Sequence, residues 1–245
     1  MKYSCYIFDL DGTLLYTLED LANSVNYAME QNHYPIHTLE EVRNMVGNGV
    51  KVLIERAVPS GTSEDDTLRT LSIFQKHYLI HNEDTTKPYD GIIDMLKALK
   101  NAGKKVAVVS NKFDKATKAL CEKYFPGLID IAVGENEAAG IRKKPYPDMV
   151  VEVMRKLNVS PEESVYIGDS EVDIDTAHNS SLPCITVLWG FREKEFLTEK
   201  GATCFVSSPL EISEIVAKPN NNHHIREKAG DIISCLLCLF GISFE

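Results

Sequence analysis

Residues 1–15 read Met1-Lys-Tyr-Ser-Cys-Tyr-Ile-Phe-Asp9-Leu-Asp11-Gly12-Thr13-Leu-Leu15, an apolar run that stops abruptly at two carboxylates one residue apart. Tyr3 to Phe8 is short, apolar and rich in strand formers, which predicts a strand buried on both faces, as in a parallel sheet. Gly12 breaks the run. In open α/β sheets ligands bind beyond the carboxyl ends of the strands, so Asp9 and Asp11 stand where a site edge is expected. A solvated Asp-Leu-Asp-Gly turn is the competing reading of these residues taken alone.

Downstream the pattern turns helical. Leu18, Leu21, Val25, Ala28 and Met29 recur at helical spacing, and Thr17-Leu-Glu-Asp20 reads as a capping box. Leu39 to Val46 and Val50 to Ala57 are helical in pattern, separated by the breaker Gly47-Asn48-Gly49, and Leu68 to Ile80 adds a further helix. No strand pattern interrupts them. From Asp90 the rhythm changes to alternation. Strands are predicted at Val106–Val109, Ile129–Val133, Ser164–Ile167, Ile185–Leu188 and Cys204–Val206, with helical segments between them. Such alternation predicts an α/β fold, a Rossmann-like parallel sheet with helices on both faces. The expected organisation is a core of residues 1–15 and 86–218, an inserted α-helical cap of residues 16–85, and a C-terminal extension of residues 219–245.

A chain of 245 residues can bury a sizeable core, and its formal net charge of −10 argues against non-specific binding to nucleic acid or to an anionic membrane. A phosphorylated partner would therefore need local positive charge. The N-terminal run is too short for a secretory signal or a membrane span, which predicts a cytoplasmic protein. The six cysteines then read as reduced thiols, and Cys235-x-x-Cys238 lacks the second pair that a structural zinc site needs. The tail ends in an apolar stretch, Ile232 to Phe244, too short to span a bilayer; the readings open for it are docking on the core, pairing with another chain as a homodimer, and association with a membrane surface.

Three later segments put polar groups where the first strand put Asp9 and Asp11. Val106-Ala-Val-Val-Ser110-Asn111 ends in a hydroxyl and an amide, and Val165-Tyr-Ile-Gly168-Asp169-Ser170-Glu-Val-Asp173 ends in carboxylates. Lys143-Lys144-Pro145 supplies positive charge between them. Each dipeptide alone is common in loops. Together, in this order, they form a specific constellation.

Through Phe8-Asp-Leu-Asp-Gly-Thr-Leu14, Val46-Gly-Asn-Gly-Val50, Val109-Ser-Asn-Lys112, Lys144-Pro145, Gly168-Asp-Ser-Glu-Val-Asp-Ile174 and Leu188-Trp-Gly-Phe191, residues 1–216 resemble the haloacid dehalogenase superfamily, in particular its phosphatases with a helical cap after the first strand. The resemblance implies a Mg²⁺-dependent phosphomonoesterase acting on a small phosphorylated metabolite such as 2-phosphoglycolate. It implies Asp9 as the nucleophile and Asp11 as general acid and base, two roles that carboxylates can fill. Mg²⁺ would be held by Asp9, the Asp11 carbonyl and Asp169, with Asp173 bonding to the metal shell; a hard cation with oxygen ligands suits such a set. Lys144 would neutralise the nucleophile and a phosphate oxygen, with Lys143 as a competing candidate. Ser110, Asn111 and nearby backbone N–H groups would hold the other oxygens, and Thr13 would order the loop or only cap a turn.

In the cap, Gly47-Asn48-Gly49 opens a helix and is either an anion seat assisted by Lys51 and Arg56 or a plain turn. His77, His81 and Asp175 read as surface or packing residues. Pyrophosphatases, nucleotidases and sugar-phosphate mutases share the same core residues, and a catalytically silent binding protein is the reading from a different class. Two departures from the family pattern stand out: Tyr16 replaces an acidic residue at the hinge, and Asn179-Ser-Ser181 replaces Asn-Ala-Gly, so that helix must end without glycine.

Overall fold

The computed structural model describes residues 3–217. The chain divides into two compact units, one formed by residues up to Leu14 and from Tyr89 onward, the other by Leu15–Pro88.

The first unit is built on β1 (Cys5–Phe8), every residue of which is buried. It lies at the centre of a six-stranded sheet with β4 (Lys105–Phe113), β5 (Ile131–Glu135), β6 (Ser164–Gly168), β7 (Cys184–Val187) and β8 (Phe205–Val206), in the order β5-β4-β1-β6-β7-β8. All neighbouring pairs are parallel. Because side chains alternate across a strand, Cys5 and Ile7 face one side with Ala107, Val109 and Tyr166. There they pack on Met149, Val150, Val153 and Met154 of α7 (Asp148–Leu157). Each such side chain taken out of water contributes about 1.5–3 kcal/mol. The remaining helices of this unit are α5 (Ile92–Asn101), α6 (Asp114–Tyr124), α8 (Glu171–Asn179), α9 (Lys194–Glu199) and α10 (Pro209–Ala217).

Register sets the position of the polar groups. Phe8 pairs with Val108 on one side and Ile167 on the other, so Asp9 is level with Val109 and Gly168, and Ser110 and Asp169 follow one residue later. The chain leaves β1 toward β4 on one side and returns through β6 on the other, which is the topological switch point where ligands of open α/β sheets bind.

The predicted strand at 106–109 is longer than expected. β4 runs on to Phe113 after a register shift against β5 between Val109 and Phe113, so Ser110, Asn111 and Lys112 stand on the irregular strand end. α8 ends at Ser180 and Ser181, which adopts φ 58, a left-handed backbone that usually falls to glycine. Leu182 N–H donates to Ala177 O at 2.8 Å and Ser181 N–H to His178 O at 3.0 Å, closing a Schellman motif on a serine.

The second unit holds α1 (Leu18–Gln31), α2 (Leu39–Met45), α3 (Val50–Ala57) and α4 (Glu64–His81), closed by an antiparallel ladder of β2 (Leu15–Tyr16) with β3 (Lys87–Pro88). That ladder, which no local pattern announces, is why the unit begins at Leu15 and ends at Pro88. The expected capping box at Thr17 does not form: Thr17 makes no side-chain cap bond, and its Oγ1 has no hydrogen-bond partner among the described residues. Asp20 is drawn elsewhere. Its buried carboxylate accepts from the backbone N–H and hydroxyl groups of both Thr85 and Thr86 at 2.6–3.2 Å, tying α1 to the returning chain. His77 stacks between Tyr27 and His81 and shares a 3.0 Å hydrogen bond with Ser24, so both histidines serve packing.

Among the described residues no helix is long and apolar enough to cross a membrane. Cys5, Cys121 and Cys184 are free thiols, pushed up to about 11, 12 and 12 respectively, chiefly by burial. Cys235, Cys238 and the apolar tail lie outside the described residues.

Candidate active site

Asp9, Asp169 and Asp173 converge at the carboxyl ends of β1 and β6. All three are buried, and one oxygen of each lies within 4.8 Å of the others. Lys144 Nζ joins two of them, 2.8 Å from Asp9 Oδ1 and 2.8 Å from Asp173 Oδ1. The Lys144 side chain is 2 % exposed, so this ion pair works in a medium where an uncompensated charge would be costly.

Asp173 is saturated. Oδ1 accepts from Lys144 and from the Tyr166 hydroxyl at 3.1 Å, and Oδ2 accepts from Asp169 N–H, Ser170 N–H and Ser170 Oγ. With five donors around it, Asp173 is suited to hold Lys144 and the turn before α8 and presents little open valence to a metal. Gly168 makes this possible, because a Cβ there would stand 2.3 Å from the Asp173 side chain.

Asp169 is oriented from both sides. Thr13 Oγ1 donates to its Oδ1 at 3.0 Å and Phe191 N–H to its Oδ2 at 2.7 Å. Trp189 Nε1 donates to Thr13 O at 3.0 Å, so the Leu188-Trp-Gly-Phe191 loop clamps the turn after β1 as well. The fully buried Thr13 thus links the turn after β1 to Asp169. Local pattern does not mark Trp189, Phe191 N–H or Tyr166 as site groups: the partners of the first two lie 176 and 22 residues away, and Tyr166 reads as an apolar strand residue although its partner Asp173 is only seven positions on.

Asn111 likewise turns inward. Its Oδ1 accepts from Lys144 N–H at 2.7 Å and its Nδ2 donates to Lys144 O at 3.1 Å, so this side chain grips the lysine's backbone. Lys144, not Lys143, enters the site. Ser110 is buried, and its Oγ accepts from Lys112 N–H at 3.1 Å. Asp11 Oδ1 lies 3.1 Å from Nζ of Lys112, an ion pair between a buried lysine and a part-exposed carboxylate.

The cap candidates belong to the second unit. Gly49 is the N-cap of α3 with φ 86, but Asn48 Oδ1 and Met45 O both accept from the Arg56 guanidinium, at 2.8 and 2.7 Å. Arg56 thus holds the turn at Gly47 to Gly49. Exposed Lys51 pairs with Glu55 at 3.8 Å.

The electrostatics are those of crowded carboxylates. Burial first, and then the charge of Asp173, push Asp9 well above the usual carboxylate range and Asp169 up to about 7. Burial opposes the charged form of Lys144, but Asp173 and Asp9 outweigh it and hold the ammonium above its ordinary value. Buried hard oxygen donors with excess negative charge are a donor set that fits a divalent cation.

The sequence matches haloacid dehalogenase-like hydrolases over residues 6–187. It is 31 % identical over 186 residues to a phosphoglycolate phosphatase of Aquifex aeolicus, covering 76 % of this chain and 84 % of that one. A phosphoglycolate phosphatase of Vibrio parahaemolyticus is 32 % identical over 221 residues, 86 % of this chain and 94 % of that one. A crystal structure from Lactobacillus delbrueckii subsp. bulgaricus superposes with a TM-score of 0.84 at 39 % identity, covering 88 % of this chain and 99 % of the other. With the carboxylates at the switch point of a parallel sheet and this extent of match, the chain belongs to the haloacid dehalogenase-like hydrolases.

Proposed function

We propose that this hydrolase is a Mg²⁺-dependent phosphomonoesterase whose substrate is a small phosphorylated metabolite, 2-phosphoglycolate, and that it works through an aspartyl-phosphate on Asp9. The observation that carries the reading is the buried Lys144 ammonium bridging Asp9 and Asp173 beside Asp169. Such a lysine holds the nucleophile's carboxylate in one orientation and adds positive charge where a phosphoryl group must approach. Asp9 Oδ1 accepts from Lys144 and from Leu10 N–H at 2.7 Å, which fixes the rotamer from two sides.

In the first step an Asp9 oxygen bonds to phosphorus while the phosphorus–alkoxide bond breaks, its electron pair going to the alkoxide, which takes a proton from Asp11. In the second, water attacks the same phosphorus, Asp11 accepts its proton, and the bond to Asp9 breaks to return the carboxylate and release phosphate. Mg²⁺, held by Asp9, the Asp11 carbonyl and Asp169, would neutralise charge on the phosphoryl oxygens. Thr13, Phe191 and Trp189 keep Asp169 in place for that purpose, and Asp173 with Asn111 keeps Lys144 in place. Ser110 and the turn's N–H groups would bind phosphoryl oxygens. The substrate assignment rests on the names of the relatives at 31 and 32 % identity.

The test is phosphate release with Mg²⁺ from 2-phosphoglycolate, pyrophosphate, nucleoside monophosphates and hexose phosphates, with Asp9→Asn as the blank. The reading predicts a marked preference for 2-phosphoglycolate that the substitution abolishes. Preference for another member of the panel would overturn the substrate, and turnover that survives the substitution would overturn the mechanism.

A further inference from the structure

Lys112 is a buried cation in the core that the mechanism above leaves without a task. Its side chain is 6 % exposed and its Nζ stands 3.1 Å from Asp11 Oδ1. The backbone holds it there: its N–H donates to Ser110 Oγ at 3.1 Å and its carbonyl accepts from Thr117 Oγ1 at 3.2 Å, where β4 overruns its regular register. Both Lys112 and Lys144 are therefore fixed ammonium groups at the same strand ends, but they face different carboxylates. Lys144 contacts the proposed nucleophile, and Lys112 contacts the proposed proton donor.

That difference assigns them different ends of a substrate. The group that Asp11 must reach is the ester oxygen on the leaving side. An ammonium in ion-pair contact with the Asp11 carboxyl is one contact removed from that oxygen and from the atoms bonded to it. In 2-phosphoglycolate a single methylene separates the ester oxygen from a carboxylate. We propose that Lys112 is a specificity-determining residue, which pairs with a carboxylate carried next to the ester carbon of the leaving group. The proposal rests on the phosphatase reading and deepens it. A carboxylate–ammonium pair made in a water-poor site discriminates strongly against the isosteric ester that lacks the charge, because the buried cation then loses a partner it was placed to meet. Arginine in place of this lysine keeps the charge, and methionine keeps the stem and removes it.

The experiment compares wild type, Lys112→Met and Lys112→Arg on 2-phosphoglycolate and on ethyl phosphate, whose leaving alkoxide lacks the carboxylate, with Lys112→Gln as the second neutral variant should the methionine form fail to fold. The neutral variant is expected to lose at least 10-fold more in kcat/KM on 2-phosphoglycolate than on ethyl phosphate, the excess mainly through KM, because any effect passed through Asp11 falls on both esters alike. Lys112→Arg is expected to recover most of the loss. An equal loss on both esters, or none on 2-phosphoglycolate, would overturn the assignment and leave Lys112 as a residue that acts only through Asp11. A wild type that treats the two esters alike overturns the proposed substrate instead, while the variant-to-wild-type ratio on each ester still decides the role of Lys112.

Discussion

Asp169 sits between opposing influences: burial and Asp173 push its pKa up to about 7, while Phe191 N–H and Thr13 Oγ1 pull it back down. Its folded pKa therefore lies above the ordinary value near 3.9, and the folded state holds the proton more tightly than the unfolded one. No penalty arises below pH ~4, where both states are protonated; the penalty grows as pH rises from ~4 through about 7 and is complete above that. Asp9 acts in the same direction. Lys144 is raised instead, so its contribution is fully present below its ordinary value near 10.4 and constant across this range. A divalent cation binds only the deprotonated set, so its stabilisation must grow as the penalty does. The metal-free protein should melt at a lower temperature at pH 8 than at pH 5, and Mg²⁺ should raise Tm more at pH 8. Thermal melts with EDTA and with Mg²⁺ at the two pH values check this; equal Mg²⁺ shifts at both would contradict the assignment of the raised carboxylates to a cation site.

Residues of this kind are legible because each stands just past the regular apolar run of a strand. Asp9, Ser110 and Asp169 declare themselves by local pattern, and Lys144 by its neighbour Pro145. Asn111 is legible as a site member but not in what it does, since its partner Lys144 is 33 residues away; for Thr13 the sequence offers a loop-ordering role but not its partner Asp169, 156 residues away. Lys112 lies inside the Val109-Ser-Asn-Lys112 motif, yet its spacing gives no sign of its partner. Its contact with Asp11 depends on β4 continuing to Phe113, and nothing in the alternation of Val106 to Val109 announces that extension.

At the scale of elements, local pattern identified the long helices and the central strands, and failed where a distant partner competes for a local group. Thr17 and Asp20 have capping-box spacing, yet Asp20 is claimed by four donors of Thr85 and Thr86, which satisfy a buried carboxylate better than one N–H would. The β2–β3 ladder pairs residues some 70 positions apart through two residues a side, too short for any periodicity. The end of α8 carries a prediction of its own. Ser181 pays for a left-handed backbone that glycine adopts freely, a cost of about 1 kcal/mol. Ser181→Gly should therefore raise Tm by about 2–4 °C with kcat/KM unchanged, as read by thermal unfolding and phosphate release. A fall in Tm would show that the Ser181 side chain contributes more than its backbone costs.

At the scale of the molecule, a net charge of −10 and a site of four carboxylates would repel a phosphate dianion, so binding has to be local. The parallel sheet supplies that locality by bringing Asp9, Ser110, Lys112, Lys144 and Asp169 from segments spread over 160 residues to the ends of β1, β4 and β6. The alternation of strands and helices after Asp90 made this architecture readable before any coordinates, because parallel strands need crossover helices. Strand order and register, which set the level of each side chain, were not readable in it.

The central claim is that Asp9 becomes covalently phosphorylated during turnover. Rapid acid quench of the enzyme turning over 2-phosphoglycolate with Mg²⁺, followed by peptide mass spectrometry, measures it directly. The account predicts one added phosphoryl group on the peptide that contains Asp9, located to Asp9 itself and absent from Asp9→Asn. A phosphoryl group on any other residue, or full turnover by Asp9→Asn, would contradict it.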